Sequence, residues 1–190
     1  MPKRKRRSKA LQLMRVMRDK LDESRFFLNH LREVNQKGIG GYQGAFLYYL
    51  SAYLSSSCAI RELVSKLNGG GWFRSWKNDL PADDQELLES MKNQRDKENH
   101  PLSRKAKRID VKMKPRPAES IPGLEVFGPP ALFYGQIHLE AEVAPWRPIV
   151  YTPEYFFELS DRPAEVVQTC ESYLKLLREL VDKFETDHPE

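Results

Sequence analysis

Ten of the thirteen prolines in this 190-residue chain fall between residues 101 and 163, and that clustering constrains the fold more than any other feature. Proline lacks the amide hydrogen a helix needs, and its ring clashes with the carbonyl four residues earlier, so continuous helix is excluded across that stretch. Outside it only Pro2, Pro81 and Pro189 occur, and there the apolar residues recur at helical spacing. The sequence therefore predicts a helical unit interrupted by an insertion at about 101–160.

Leu13, Met17, Leu21, Leu28 and Leu31 form one stripe of a long helix from about Lys9 to Asn35, ended by Gly38, Gly40 and Gly41. From Tyr42 to Leu67, Phe46, Tyr49, Leu50, Tyr53, Leu54, Ile60, Leu63 and Val64 make a wide apolar surface, with small residues filling much of the rest. That is the pattern of a bundle's central helix. Gly69, Gly70 and Gly71 break it. Trp72, Phe73 and Trp76 then predict a short aromatic turn over one end of the bundle, and they are also of a type that stacks on bases. A third helix is expected from about Asp83, with Glu86 completing a capping box, and Pro101 ends it near His100.

Inside the insertion, Phe133, Gly135, Ile137, Leu139, Ala141 and Val143 alternate with polar residues, the period of a half-buried strand. Residues 124–127 and 147–151 are its candidate partners. The last helix is expected from Ser160 or Asp161, with Pro163 in its first turn. Its stripe is Val166, Cys170, Tyr173, Leu177, Leu180 and Phe184. The chain thus reads as mainly α: an up-down bundle of four to five helices, with a small β-containing insertion before the last helix. Residues 1–8 form a basic N-terminal arm and 9–190 a single domain.

Charge narrows the function. The net charge is only +4, yet the first ten residues hold six Lys or Arg. A second basic stretch includes Arg104, Lys105, Lys107 and Arg108 and continues through Lys112, Lys114 and Arg116. Such runs bind phosphate backbones without reading sequence, and they also serve as solvated tails or targeting signals. No apolar run approaches the roughly 20 residues that span a bilayer, and no signal-peptide core follows the basic start. A cytoplasmic protein without membrane contact is expected. Cys58 and Cys170 fall in helical patterns far apart in sequence, which predicts buried thiols and no metal site.

The sequence has no Gly-rich phosphate loop, no His-Glu-x-x-His and no nucleophile elbow, and it has four histidines in all. What remains is Arg95-Asp96-Lys97-Glu98-Asn99-His100, followed by Pro101. Arg25 and His30 have the same spacing inside the first helix, where five steps of about 100° leave the side chains roughly 140° apart. Those two are read as an exposed arginine and an ordinary helix histidine. At His100 the proline releases the chain from helical geometry, and convergence with Arg95 becomes possible.

With that motif on a helix following two long helices and an aromatic turn, the chain resembles the HEPN superfamily. The resemblance covers residues of about 10 to 100 and the last helix. It implies a metal-independent endoribonuclease without cofactor, a toxin or defence effector, that works as a homodimer with the motifs of both subunits at one cleft. Arg95 and His100 would be catalytic. An antitoxin or a defence complex would be the further partner. RNA carries its own nucleophile in the 2′-OH, so such a site needs a base, positive charge and alignment. Histidine titrates near neutral pH and suits the base, while arginine offers a planar fork of donors for the scissile phosphate. Lys97, Arg104, Lys105, Lys107 and Arg108 are candidates for holding the RNA backbone. Asp96 and Asn99 are candidates for orienting the Arg and the His. The alternative is a non-catalytic module of the same fold that binds RNA or protein, or a regulatory subunit of a defence or stress complex.

Overall fold

The computed structural model describes residues 2–36, 43–66, 70–99, 110–117, 149–158 and 163–188. In chain order these form α1 (Pro2–Gln36), α2 (Gln43–Lys66), α3 (Gly71–Asn78), α4 (Ala82–Asn99), β1 (Asp110–Pro117), β2 (Ile149–Glu158), β3 (Pro163–Glu165) and α5 (Val166–Asp187). The protein is mainly helical, with a small three-stranded antiparallel sheet before the last helix.

The helical stripes meet in one core. Met17, Leu28 and Leu31 of α1, Phe46, Leu50 and Leu54 of α2, Leu88 and Met91 of α4, and Cys170, Leu177 and Leu180 of α5 are all buried. α1 runs opposite to α5, since Arg18 pairs with Glu185 at one end and Arg32 with Glu171 towards the other. It also runs opposite to α2. The Ser24 and Ser56 hydroxyls meet at 3.0 Å, and His30 stacks on Tyr49 with ring centroids 4.9 Å apart. The buried Ser56 and Ser57 show why α2 carries small residues between its large ones, because they let neighbouring helices approach. Tyr53 donates its hydroxyl proton to the Cys170 carbonyl at 2.6 Å, joining α2 to α5 inside the core.

Several expected boundaries shift. α1 begins at Pro2 and takes in the residues expected as a basic arm. The aromatic turn is a helix, α3, entered through Gly70 at φ 77°. A side chain there would be strained, and its Cβ would lie 2.9 Å from the Ser65 carbonyl oxygen. It covers the end of the bundle as expected: Phe73 is buried, and Trp72 packs edge-on to Phe184 while donating its indole N–H to Asp187 at 3.0 Å. At the start of α4 the Pro81 carbonyl accepts from both Asp84 and Gln85. That places Asp83 already inside the helix, so the expected capping box with Glu86 is not the cap. Asp83 and Asp84 instead put negative charge in the first turn, which suits the positive end of the helix dipole.

In the sheet, β2 is central, pairing with β1 (Val111 opposite Tyr155) and with β3 (Phe157 opposite Ala164). Tyr155 and Phe157 are buried, and Tyr155 stacks on Phe46 of α2 at 3.7 Å. The expected partner at 147–151 overlaps β2, while the expected strand at 133–143 and its partner at 124–127 lie outside the described residues. Pro163 is not in the first turn of the last helix. It opens β3 opposite Glu158, a place where a missing amide is tolerated. Glu165, extended at φ −63° and ψ 129°, then caps α5, its carboxylate accepting from Val167 N at 3.2 Å and Gln168 N at 2.6 Å. Among the described residues no helix is long and apolar enough to cross a membrane.

Candidate functional site

α2 is an unusually uncharged helix. Its only charged residues are Arg61, Glu62 and Lys66, all within its last six positions, at the end that meets α4. There the two helices exchange charges. Arg61 donates Nη1 to the Leu88 carbonyl at 2.8 Å and Nη2 to Glu89 at 2.9 Å, and Glu89 also takes Lys77 of α3 at 2.5 Å. In the other direction, Glu62 accepts Nη1 of Arg95.

Arg95 sits in the last turns of α4 with 24% of its side chain exposed. Its Nε is buried, and no hydrogen-bond partner for it occurs among the described residues. Close enough to feel its charge are Cys58, whose Sγ is 3.7 Å from the Met91 carbonyl oxygen and 3.9 Å from the Tyr173 hydroxyl, and Tyr173 itself. Burial pushes the Cys58 thiol up from its ordinary pKa, against the hydrogen bond from Tyr173 and the pull of the Arg95 and Arg61 charges. Burial raises the Tyr173 phenol well above its usual range. These groups stay neutral at physiological pH. Arg95 therefore has two neutral groups nearby, a carboxylate partner in Glu62, and about a quarter of its side chain exposed.

Asp96, the next residue, is exposed. Lys97 and Asn99 belong to the final turn of α4, which ends at Asn99, just ahead of His100 and Pro101. Their side chains lie outside the described part of the structure, as do His100, Arg104, Lys105, Lys107 and Arg108 entirely. Of the basic stretch, Lys112, Lys114 and Arg116 alternate along β1 and are exposed. Glu154 draws Lys114 to 3.1 Å and Arg116 to 3.3 Å, and Lys112 lies 5.0 Å over the Phe156 ring.

The first-helix pair behaves as an ordinary surface pair. Arg25 is 52% exposed and 3.6 Å from Asp22, whereas His30 stacks on Tyr49 and lies 3.2 Å from Glu33. The two take different partners. Open grooves of about 680 Å³, along α1 beside Arg18 and Glu185, and of about 450 Å³, between β1 and the start of α5, are lined by other residues and exclude Arg95.

Glu62 is the member of the site that the motif letters miss. A signal for it was present: a Glu adjacent to an Arg in a helix that is otherwise uncharged until its last residue, Lys66. Comparison of the chain with protein families, with curated proteins and with solved structures finds no match in any of the three.

Proposed function

We propose that this chain is a metal-independent endoribonuclease of HEPN type, a toxin or defence effector in which Arg95 and His100 act on RNA. The observation that carries the reading is the setting of Arg95 near the end of α4. Glu62 takes one Nη1 donor and holds the guanidinium in place, and the partly exposed side chain keeps further donors for a phosphate. The motif runs from there to His100 within five residues, just ahead of Pro101.

In the proposed reaction the 2′-oxygen attacks the adjacent phosphorus as His100 takes the 2′-OH proton. The bond to the 5′-oxygen breaks, and the leaving oxygen is protonated by the imidazolium so formed or by that of the second subunit. Arg95 stabilises the negative charge growing on the phosphoryl oxygens. The products are a 2′,3′-cyclic phosphate and a 5′-hydroxyl. Asp96 orients Arg95 and Asn99 orients His100, and Lys97 with Arg104, Lys105, Lys107 and Arg108 holds the backbone on either side of the cut. The working unit is a homodimer, restrained by an antitoxin or housed in a defence complex.

The purified protein in EDTA is expected to cleave single-stranded RNA and leave DNA of the same sequence intact. Arg95→Ala and His100→Ala should each reduce cleavage by at least about 100-fold, with an unchanged far-UV circular dichroism spectrum. Retained cleavage in His100→Ala would overturn the mechanism. A second reading, a non-catalytic module of the same fold, draws on the same ion pair, because an arginine three-quarters buried against Glu62 is also what a purely structural arginine looks like. RNA binding without cleavage of any RNA decides for that reading.

A further inference from the structure

The sheet has one face turned to the helices and one turned away from them. Side chains alternate along a strand, and residues directly opposite each other on paired strands share a face. Tyr155 and Phe157 of β2 are buried, Tyr155 against Phe46, so Val111, opposite Tyr155, belongs to the inner face. Lys112, opposite Glu154, therefore belongs to the outer face, and Lys114 and Arg116 follow it at two-residue steps. All three cations are exposed, and their positions recur about every 7 Å along the strand. From 111 to 117 the strand carries these three cations and no acid. Glu154 meets the row from β2, 3.1 Å from Lys114 and 3.3 Å from Arg116, and three cations against that one carboxylate leave two positive charges in excess.

The row borders the groove of about 450 Å³ between β1 and the start of α5, and Phe156, Asn35 and Gln168 also line that groove. Two further carboxylates line it, and both are engaged. Glu165 accepts from the Val167 and Gln168 amides, and Glu171 accepts from Arg32 at 2.7 Å. The repeat of the cations is close to the step between neighbouring phosphates of an extended single strand. An extended acidic peptide would match the row as well, but it brings nothing for the ring and the two amide side chains. An unpaired base brings a π-face for the ring and a donor and acceptor edge for the amides. Lys112 lies 5.0 Å over the Phe156 ring, and turning it to a phosphate uncovers that ring. A duplex keeps its bases paired and stacked, out of reach of such a groove.

We infer that the outer face of the sheet is a binding track for single-stranded RNA, with backbone phosphates on Lys112, Lys114 and Arg116 and a base in the adjoining groove against Phe156, Asn35 and Gln168. The choice of RNA over single-stranded DNA rests on the function proposed above; the recognition of an unpaired strand does not. Glu154 is the internal anion of the track, which arriving phosphates displace from Lys114 and Arg116. On this view the proline-rich insertion holds the substrate strand through residues other than those of the Arg95 site.

The test measures binding of the full chain to a short single-stranded 2′-O-methyl RNA, which cannot be cleaved through its 2′-oxygen. Replacing Lys112, Lys114 and Arg116 together by Gln is expected to weaken binding on the order of 30-fold near ~0.1 M salt, and to flatten the slope of log affinity against log salt by about 2. Glu154→Gln removes the internal anion and should tighten binding about 3-fold, the opposite sign to damage to the sheet. An abasic strand of the same length should bind about 10-fold more weakly than the full strand. Unchanged affinity and slope in the three-Gln variant would overturn the inference, as would weaker binding by Glu154→Gln. Abasic strand or polyglutamate bound as tightly as the RNA would overturn the assignment to an unpaired nucleic acid. The track and the ribonuclease reading fail separately: loss of binding in the three-Gln variant, with no RNA cleaved by the native chain, supports the first and sinks the second. Unchanged binding beside cleavage that depends on Arg95 does the reverse.

Discussion

Glu62 meets Arg95 across the α2–α4 seam and lies 3.9 Å from Lys66 one turn on, so a single carboxylate balances two cations. With 43% of its side chain exposed, water screens much of that attraction, and the pair is worth about 1 kcal/mol. Glu62→Gln should therefore lower the Tm by about 2–4 °C in a thermal melt, and the cleavage proposed above should fall with it because Arg95 loses its anchor. A melt that does not move would mean that the pair contributes nothing net to folding. At this scale the sequence offers Arg95 as a candidate through its spacing to His100 and Pro101. It does not offer the partner, because many acids are candidates in one dimension and only helix packing brings Glu62 to it.

Three elements converge on Glu89. Burial alone would raise its carboxyl, but the hydrogen bond from Lys77 of α3, with the charges of Arg61 and Lys92, outweighs burial and holds its pKa below the ordinary 4.5. A carboxylate depressed in the folded state stabilises the fold above the unfolded-state pKa, and the contribution is lost as pH falls through the folded value. Glu89→Gln should accordingly be less stable than the native chain at pH 7, by about 1 kcal/mol after allowing for exposure, and the gap should narrow as pH falls below the ordinary 4.5 and through the lowered folded-state value. Urea unfolding at pH 7 and pH 3 checks this; a gap of equal size at both would remove the charge from the explanation. Element extents were read well where the apolar stripe was unbroken, as in α2 and the body of α5. They shifted where a residue has two uses: Asp83 suits a cap and a first turn alike, and Pro163 suits a helix start and an edge strand. β1 is hard to see in the sequence because Val111, Met113 and Pro115 alternate with cations that also make a basic run.

On the scale of the whole molecule, α5 joins the bundle to the sheet. It packs on α1, α2 and α4, and β2 and β3 lie against its start. Leu177 is fully buried, so Leu177→Ala opens a cavity in the core these helices share. A loss of about 3 kcal/mol is expected, seen as a fall in Tm of about 10 °C in one cooperative transition. A loss below about 1 kcal/mol would show that the neighbouring helices collapse onto the gap. The sequence by itself determined the mainly helical class, the apolar stripes and the exclusion of helix from the proline-rich stretch, because periodicity and proline stereochemistry act within a few residues. Tertiary structure alone decided that Glu62 holds Arg95 and that Glu89 joins three helices. Each of those depends on which helix ends lie side by side, and that is set by packing the core as a whole.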